Sequence, residues 1–155
     1  MAFTLSNEVL LASSPERIWE AINDPAILRK SIPGCEALEQ TEAGDYHATV
    51  RLKVGPISAR FRGVVEFADV EAPHRFRLVG EGQGGMAGFA RGAATVRLAA
   101  EGGGTRLVYD VEADIGGKIA QLGSRLVDGV AKKLSDTFFS NFAEAVEARG
   151  SAEHG

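Results

Sequence analysis

Residues 45–67 read "DYHATVRLKVGPISARFRGVVEF". Tyr46, Ala48, Val50, Leu52 and Val54 point one way along this stretch, and His47, Thr49, Arg51 and Lys53 the other. After Gly55 and Pro56 the same beat resumes, with Ile57, Ala59, Phe61 and Gly63 set against Ser58, Arg60 and Arg62. A period of two with one apolar face is the mark of an antiparallel strand that is dry on one side and wet on the other. Gly-Pro between two such runs marks a turn. The alternation returns in "RFRLVGEG" (75–82), "GAATVRLAAE" (92–101) and "TRLVYDVEAD" (105–114). Residues 2–12 and a short run from about residue 36 add two more strands. Short turns join most of them, so sequence neighbours should pair as a meander.

The period changes to 3.6 at three places. "SSPERIWEAIND" (13–24) predicts a short helix with Ser13 and Glu16 as a capping box, a buried stripe of Ile18, Ala21 and Ile22, and Trp19 beside it. "DPAILRKSI" predicts a second, with Asp24 as N-cap and Pro25 at the first position. "GGKIAQLGSRLVDGVAKKLSDTFFSNFAEAV" (116–146) reads as one long helix. Its stripe of Ile119, Leu122, Leu126, Val130, Leu134, Phe138 and Phe142 steps mostly by four. Such a stripe winds around the helix, which suits one laid across a curved sheet. The expected fold is α+β: a curved antiparallel sheet of about seven strands gripping a long C-terminal helix, with two short helices after the first strand. Residues 1–148 should form one domain and 149–155 a short flexible tail.

Glycine is abundant, 19 in all, and its placement is uneven. Gly116, Gly117, Gly123 and Gly129 fall in the front of the long helix, where each should cost about 1 kcal/mol relative to alanine. On the strands Gly80, Gly82 and Gly84 should point inward, with Gly92, Ala94 and Ala59 beside them and Gly123 on the helix opposite. Farther along the same rows stand Phe61, Phe67, Phe76, Leu98 and Tyr109. One half of the interior is therefore expected to be packed and the other hollow, with a pocket of about 300–1,000 Å³. The turns at the hollow end carry Ile32, Val54, Ile57, Met86, Phe89 and Ile115, and those at the other end are polar. The expected ligand contacts are these small residues with Phe61, Met86, Phe89, Tyr109, Ile119, Leu122 and Leu126. Two structural readings compete: glycines allow tight sheet coiling and close helix packing, and apolar loop residues can fold back over a core.

Composition narrows the function classes. A net charge of −4 argues against general nucleic-acid binding. The single cysteine, Cys35, points to a reducing compartment. The N-terminal residues lack the basic and apolar regions of a signal peptide, and no window has the length of a membrane span. His47, His74 and His154 are scattered, and the sequence shows no metal-ligand spacing or nucleophile elbow. "GQGGMAG" lacks the lysine of a phosphate loop. No catalytic residue, metal or cofactor is assigned, and no enzyme is expected. Lys118, Arg125 and Lys132 recur every seven residues opposite the apolar stripe. With Lys133 and Asp128 the segment 115–134 carries 4 − 1 = +3. That face is either solvated or a contact for anionic headgroups or an acidic partner.

"DPAILRKSIPGCEALE", "VGPISARFRGVVEF", "GQGGMAGFARGAATVRL" and "GGKIAQLGSRLVDGVAKKLSDTFFSNF" together resemble the carbon monoxide dehydrogenase G-subunit family. That family belongs to the START-like, helix-grip (SRPBCC) superfamily, and the resemblance covers roughly residues 2–146. It implies a fold that holds a hydrophobic ligand and is encoded alongside molybdenum hydroxylases, serving their membrane attachment, maturation or electron transfer. The expectation is a non-catalytic carrier of an isoprenoid quinone or lipid that couples a molybdenum hydroxylase to the membrane. Such a protein would be cytoplasmic and peripheral at the inner membrane face, with hydroxylase subunits as partners. An adaptor without ligand carriage and a small cyclase- or hydrolase-like enzyme of the same fold remain alternatives.

Overall fold

The computed structural model describes residues 1–154. Its strands are β1 (Ala2–Leu11), β2 (Cys35–Gln40), β3 (Tyr46–Val54), β4 (Ile57–Glu71), β5 (Arg75–Gln83), β6 (Phe89–Glu101) and β7 (Gly104–Gly116). They form one antiparallel sheet in the order β1-β7-β6-β5-β4-β3-β2. The strands from β2 to β7 are therefore a meander, and β1 closes against the last of them. Tyr46 pairs with Val65, Leu52 with Ala59, Gly82 with Ala90 and Tyr109 with Val96. The inward and outward rows fall as the period of two requires.

Helices α1 (Pro15–Ile22) and α2 (Pro25–Ser31) follow β1. The cap of α1 is Ser14, whose side chain accepts from the Arg17 amide at 3.3 Å. Ser13 and Glu16 therefore form no capping box. Pro15 occupies the first helical position, which needs no donor and moves the cap one residue along. Asp24 caps α2 as expected, accepting from the Ala26 amide at 3.0 Å.

The long C-terminal helix is broken at its start. Gly116 ends β7, Gly117 precedes a single turn α3 (Lys118–Gln121), and α4 (Ser124–His154) begins after Gly123. Gly117 and Gly123 have φ of +83° and +94°, conformations in which an L side chain is strained. Three of the four glycines thus serve the backbone at a strand end and a helix break, and only Gly129 lies inside α4. The break also phases the stripe differently: Val127 is buried, and Leu126 is 37% exposed. Helix α4 continues across residues 149–154, where a tail was expected. Gly155, the last residue of that tail, lies outside the described residues.

Two separate apolar clusters hold the sheet and helices together. The larger contains Ile18, Phe76, Leu98, Leu107, Tyr109 and Phe142, with Trp19, Phe67, Phe138 and Phe139 packed on it. It sits under α1, α2 and the C-terminal half of α4. Asn141 donates to the Ser31 carbonyl at 3.2 Å, and Arg149 pairs with Asp24. The smaller cluster is Phe3, Val54, Ile115, Ile119 and Val127, at the other end of the sheet.

Candidate functional site

Between the clusters lies a strip of inward-facing residues that belongs to neither. Ala48, Val50 and Leu52 on β3, Ala59 on β4, Ala94 on β6 and Leu134 on α4 all point into the grip and stay half-exposed. Gly63, Gly80 and Gly82 share the same rows through the pairs Ala48–Gly63, Gly63–Gly82 and Gly80–Gly92. A packed core would leave these positions dry. Here they stay partly accessible between the sheet and α4.

The glycines of this region differ in what stands beside them. A Cβ at Gly82 would meet nothing nearer than the Ala90 carbonyl oxygen at 4.0 Å, so Gly82 faces the opening. At Gly80 it would touch Val65 Cγ2 at 3.3 Å, and at Gly63 the Glu81 carbonyl at 3.4 Å. At Gly84 it would fall on the ring of Phe61, so Phe61 already fills that place. At Gly92 it would fall on the Glu112 carbonyl of β7; this glycine permits close strand approach rather than room. Beside Gly123 and Gly129 there is open space on the helix side.

The remaining expected contacts divide in three. Ile119 is buried in the smaller cluster, and Leu122 packs on it. Val54, Ile57 and Ile115 belong there too, so these mouth residues fold back over a core. Ile32 packs on the larger cluster, as does Tyr109, whose ring stacks on Phe139 at 5.2 Å. Phe89 pairs with Gln83 and Gly116 on the outward row, under the Arg91 guanidinium at 5.4 Å. It therefore lies on the convex face, turned away from the grip. Met86, on the turn Gly85–Ala87 between β5 and β6, is 80% exposed.

A groove of about 500 Å³ on α4 is lined by Leu122, Arg125, Leu126, Gly129, Val130 and Lys133. Leu122 and Leu126 reach across to the β3–β4 turn at Gly55. Lys118, Arg125, Lys132 and Lys133 are exposed, but the break at Gly123 puts Lys118 on a different helix from the other three. Period alone could have added Ala48, Val50, Leu52 and Gly63 to the expected contacts, since they share the rows of Ala59 and Gly82. Val127 was hidden by the break.

The polar side chains near the cores are engaged. Tyr46 donates to the Ile22 carbonyl at 2.8 Å, Ser31 to the Ile27 carbonyl at 2.7 Å and Thr105 to the Ser13 carbonyl at 2.7 Å. Burial pushes the Tyr46 phenol up to about 12. Cys35 is half-buried, its thiol raised by burial, and donates to the Ala37 carbonyl at 3.4 Å. No Asp, Glu, His, Lys or Arg stands on the inward rows of β3 to β6. Among the described residues no cluster of His, Cys, Asp and Glu could hold a metal, and no helix is long and apolar enough to cross a membrane.

Comparison with known proteins follows the same outline. The model of the CoxG family, described as the G subunit of carbon monoxide dehydrogenase, matches residues 8–147. No curated protein matches the sequence. A solved conserved protein from Geobacillus kaustophilus is 28% identical over 94% of this chain and 96% of its own, with a TM-score of 0.87. A structure from Thermus thermophilus is 20% identical over 95% and 99% of the two chains, with a TM-score of 0.71. The Zhui aromatase/cyclase from Streptomyces sp. R1128 is 14% identical over 100% and 99%, with a TM-score of 0.73. The last two likenesses concern the helix-grip fold alone.

Proposed function

The chain belongs to the carbon monoxide dehydrogenase G-subunit (CoxG) family, and from that premise we propose that it is a non-catalytic carrier of an uncharged apolar molecule. The observation that supports this reading is the strip between the two clusters, whose inward apolar side chains join neither cluster and stay partly exposed. Apolar surface left in that position favours an apolar occupant by about 25 cal/mol per Å² covered. The inward rows of β3 to β6 offer it no charged partner, so a charged headgroup would be buried without compensation. An isoprenoid quinone or a neutral lipid tail has the right character, and the family points to a molybdenum hydroxylase as the enzyme served. The same rows carry no carboxylate and no imidazole for acid–base catalysis.

Delivery at a membrane surface fits the features around the opening. Met86 projects from its turn, and the α4 groove is apolar between Arg125 and Lys133. Cations near an anionic membrane contribute about 1 kcal/mol each. The deciding test is solvent extraction of the purified protein followed by mass spectrometry. An apolar molecule near one per chain, displaced by a quinone analogue, is the expected result. A protein that yields no such molecule and binds neither quinone analogues nor apolar fluorescent probes is not a carrier.

A further inference from the structure

The convex face of the sheet carries a charge pattern that the ligand site does not use. In the β3–β4 hairpin, Arg51 stands directly opposite Arg60, with Lys53 and Arg62 on the neighbouring outward positions. All four side chains are exposed. Like charges directly opposite on paired strands are destabilising, so folding alone gives no reason to keep them. Glu36 pairs with Arg60 at 2.7 Å. Among the described residues Arg51, Lys53 and Arg62 enter no ion pair. This is a concentrated cationic patch on a chain of net charge −4.

The far side of the same face is mixed in charge. Asp110, Glu112 and Asp114 on β7 and Glu8 on β1 point outward there, but Asp114 pairs with the N-terminus and Arg91, and Glu8 with Arg106. Three strand spacings separate β4 from β7, about 14 Å, which exceeds the Debye length of about 8 Å at physiological salt. A partner therefore meets the cationic patch as a separate charge. Next to it Val64 and Val79 are 39% and 41% exposed. Beside the patch runs a groove of about 380 Å³ whose walls include Arg62, Arg29, Glu39, His47, Thr49 and Val64.

We propose that this convex face docks a protein partner through an acidic patch that seats on Arg51, Lys53 and Arg62. Glu39, Glu66 and Glu81 stand exposed on outward positions beside the cations, which disfavours an extended polyanion such as a nucleic acid strand, and equally a uniformly anionic membrane. A second copy of this chain has the same convex curvature, and two convex faces touch over little area. A bounded acidic patch on a flat or concave protein surface fits, with Val64 and Val79 as the apolar centre and the charges as the rim. The surface lies on the other side of the sheet from α4 and its groove, so protein docking and ligand exchange can proceed together. This deepens the carrier reading by giving its protein partner a surface, and it rests on that reading only for the partner's role.

The test uses the full chain and a fluorescent glutamate-rich peptide, read by anisotropy at low and physiological salt. Wild type should bind the peptide in a salt-sensitive way. The double variant Arg51→Glu/Arg62→Glu should bind about tenfold more weakly or worse, with a melting temperature no lower than that of wild type and unchanged retention of the apolar ligand. Lys118→Glu/Arg125→Glu should bind like wild type. Equal binding by all three, or loss confined to the Lys118/Arg125 variant, would overturn the proposal. Tighter binding of a single-stranded oligonucleotide, or a drop in phosphatidylglycerol-vesicle binding in the Arg51/Arg62 variant, would reassign the face and overturn it too. Absence of any apolar ligand with peptide binding intact sinks the carrier reading and leaves this one standing.

Discussion

Gly82→Leu turns the open strip into a measurable quantity. The backbone at Gly82 is ordinary extended strand, and the first atom of a new side chain has 4.0 Å of clearance. Fully burying a leucine is worth about 1.5–3 kcal/mol, and a half-covered position should return about half of that. Replacing glycine in a strand adds about 0.5–1 kcal/mol. The sum is a gain of about 1.3–2.5 kcal/mol, or about 4–8 °C in melting temperature for a chain of this size. The same side chain should occupy ligand space and weaken binding of an apolar probe about tenfold or more. Gly92→Ala adds far less volume but places its Cβ on the β7 backbone, and should cost about 1–3 kcal/mol. Differential scanning calorimetry with probe titration reads both. If Gly82→Leu melts as early as Gly92→Ala, the strip is filled and the reasoning fails. Glu81→Leu, on the outward row, should leave probe binding intact.

Three further outcomes are expected. Gly129→Ala, inside α4 with open space beside it, should raise stability by about 1 kcal/mol, whereas Gly123→Ala, at φ +94°, should lower it by about 1–2 kcal/mol; thermal melts of the pair decide. Because the folded-state Tyr46 phenol is raised to about 12, its contribution is complete below the unfolded value near 10 and is lost as pH rises from about 10 to 12. Ultraviolet titration should show one of the two tyrosines ionising late, and Tyr46→Phe should remove that step while costing about 1 kcal/mol at neutral pH. Met86→Ser, and separately Lys118→Glu/Arg125→Glu, should each reduce salt-sensitive binding to anionic vesicles, and equal sedimentation of all forms at low salt would refute the membrane contact.

The sheet was legible because burial on one face imposes a period of two that short turns cannot disguise. Every inward residue from Tyr46 to Phe67 follows from that beat. The break at Gly123 was not legible, since a helical period on both sides of a left-handed residue looks like a single helix. Glycine itself was ambiguous. Gly82, Gly84 and Gly92 are the same letter on neighbouring inward rows, yet one faces space, one a phenyl ring and one a carbonyl. What fills the place of an absent side chain is supplied by distant parts of the chain, so no local pattern can report it. Phe89 was misplaced for a related reason: β6 begins at Phe89 rather than at Gly92, so the ring sits on the strand and the unchanged period of two sends it to the convex side.

The division of the apolar interior into two clusters also divides the work of opening. The larger one is fastened by α1, α2 and the Asn141 and Arg149 links, and it holds most of the aromatic residues. The smaller has five buried members and is bounded by the glycine-jointed α3. Local opening follows the least stable cooperative unit rather than the whole molecule. On the carrier reading, the end held by the smaller cluster would swing apart while the other end stays folded, and cargo would be exchanged many times at the cost of a few contacts, with the rest of the domain acting as a fixed handle.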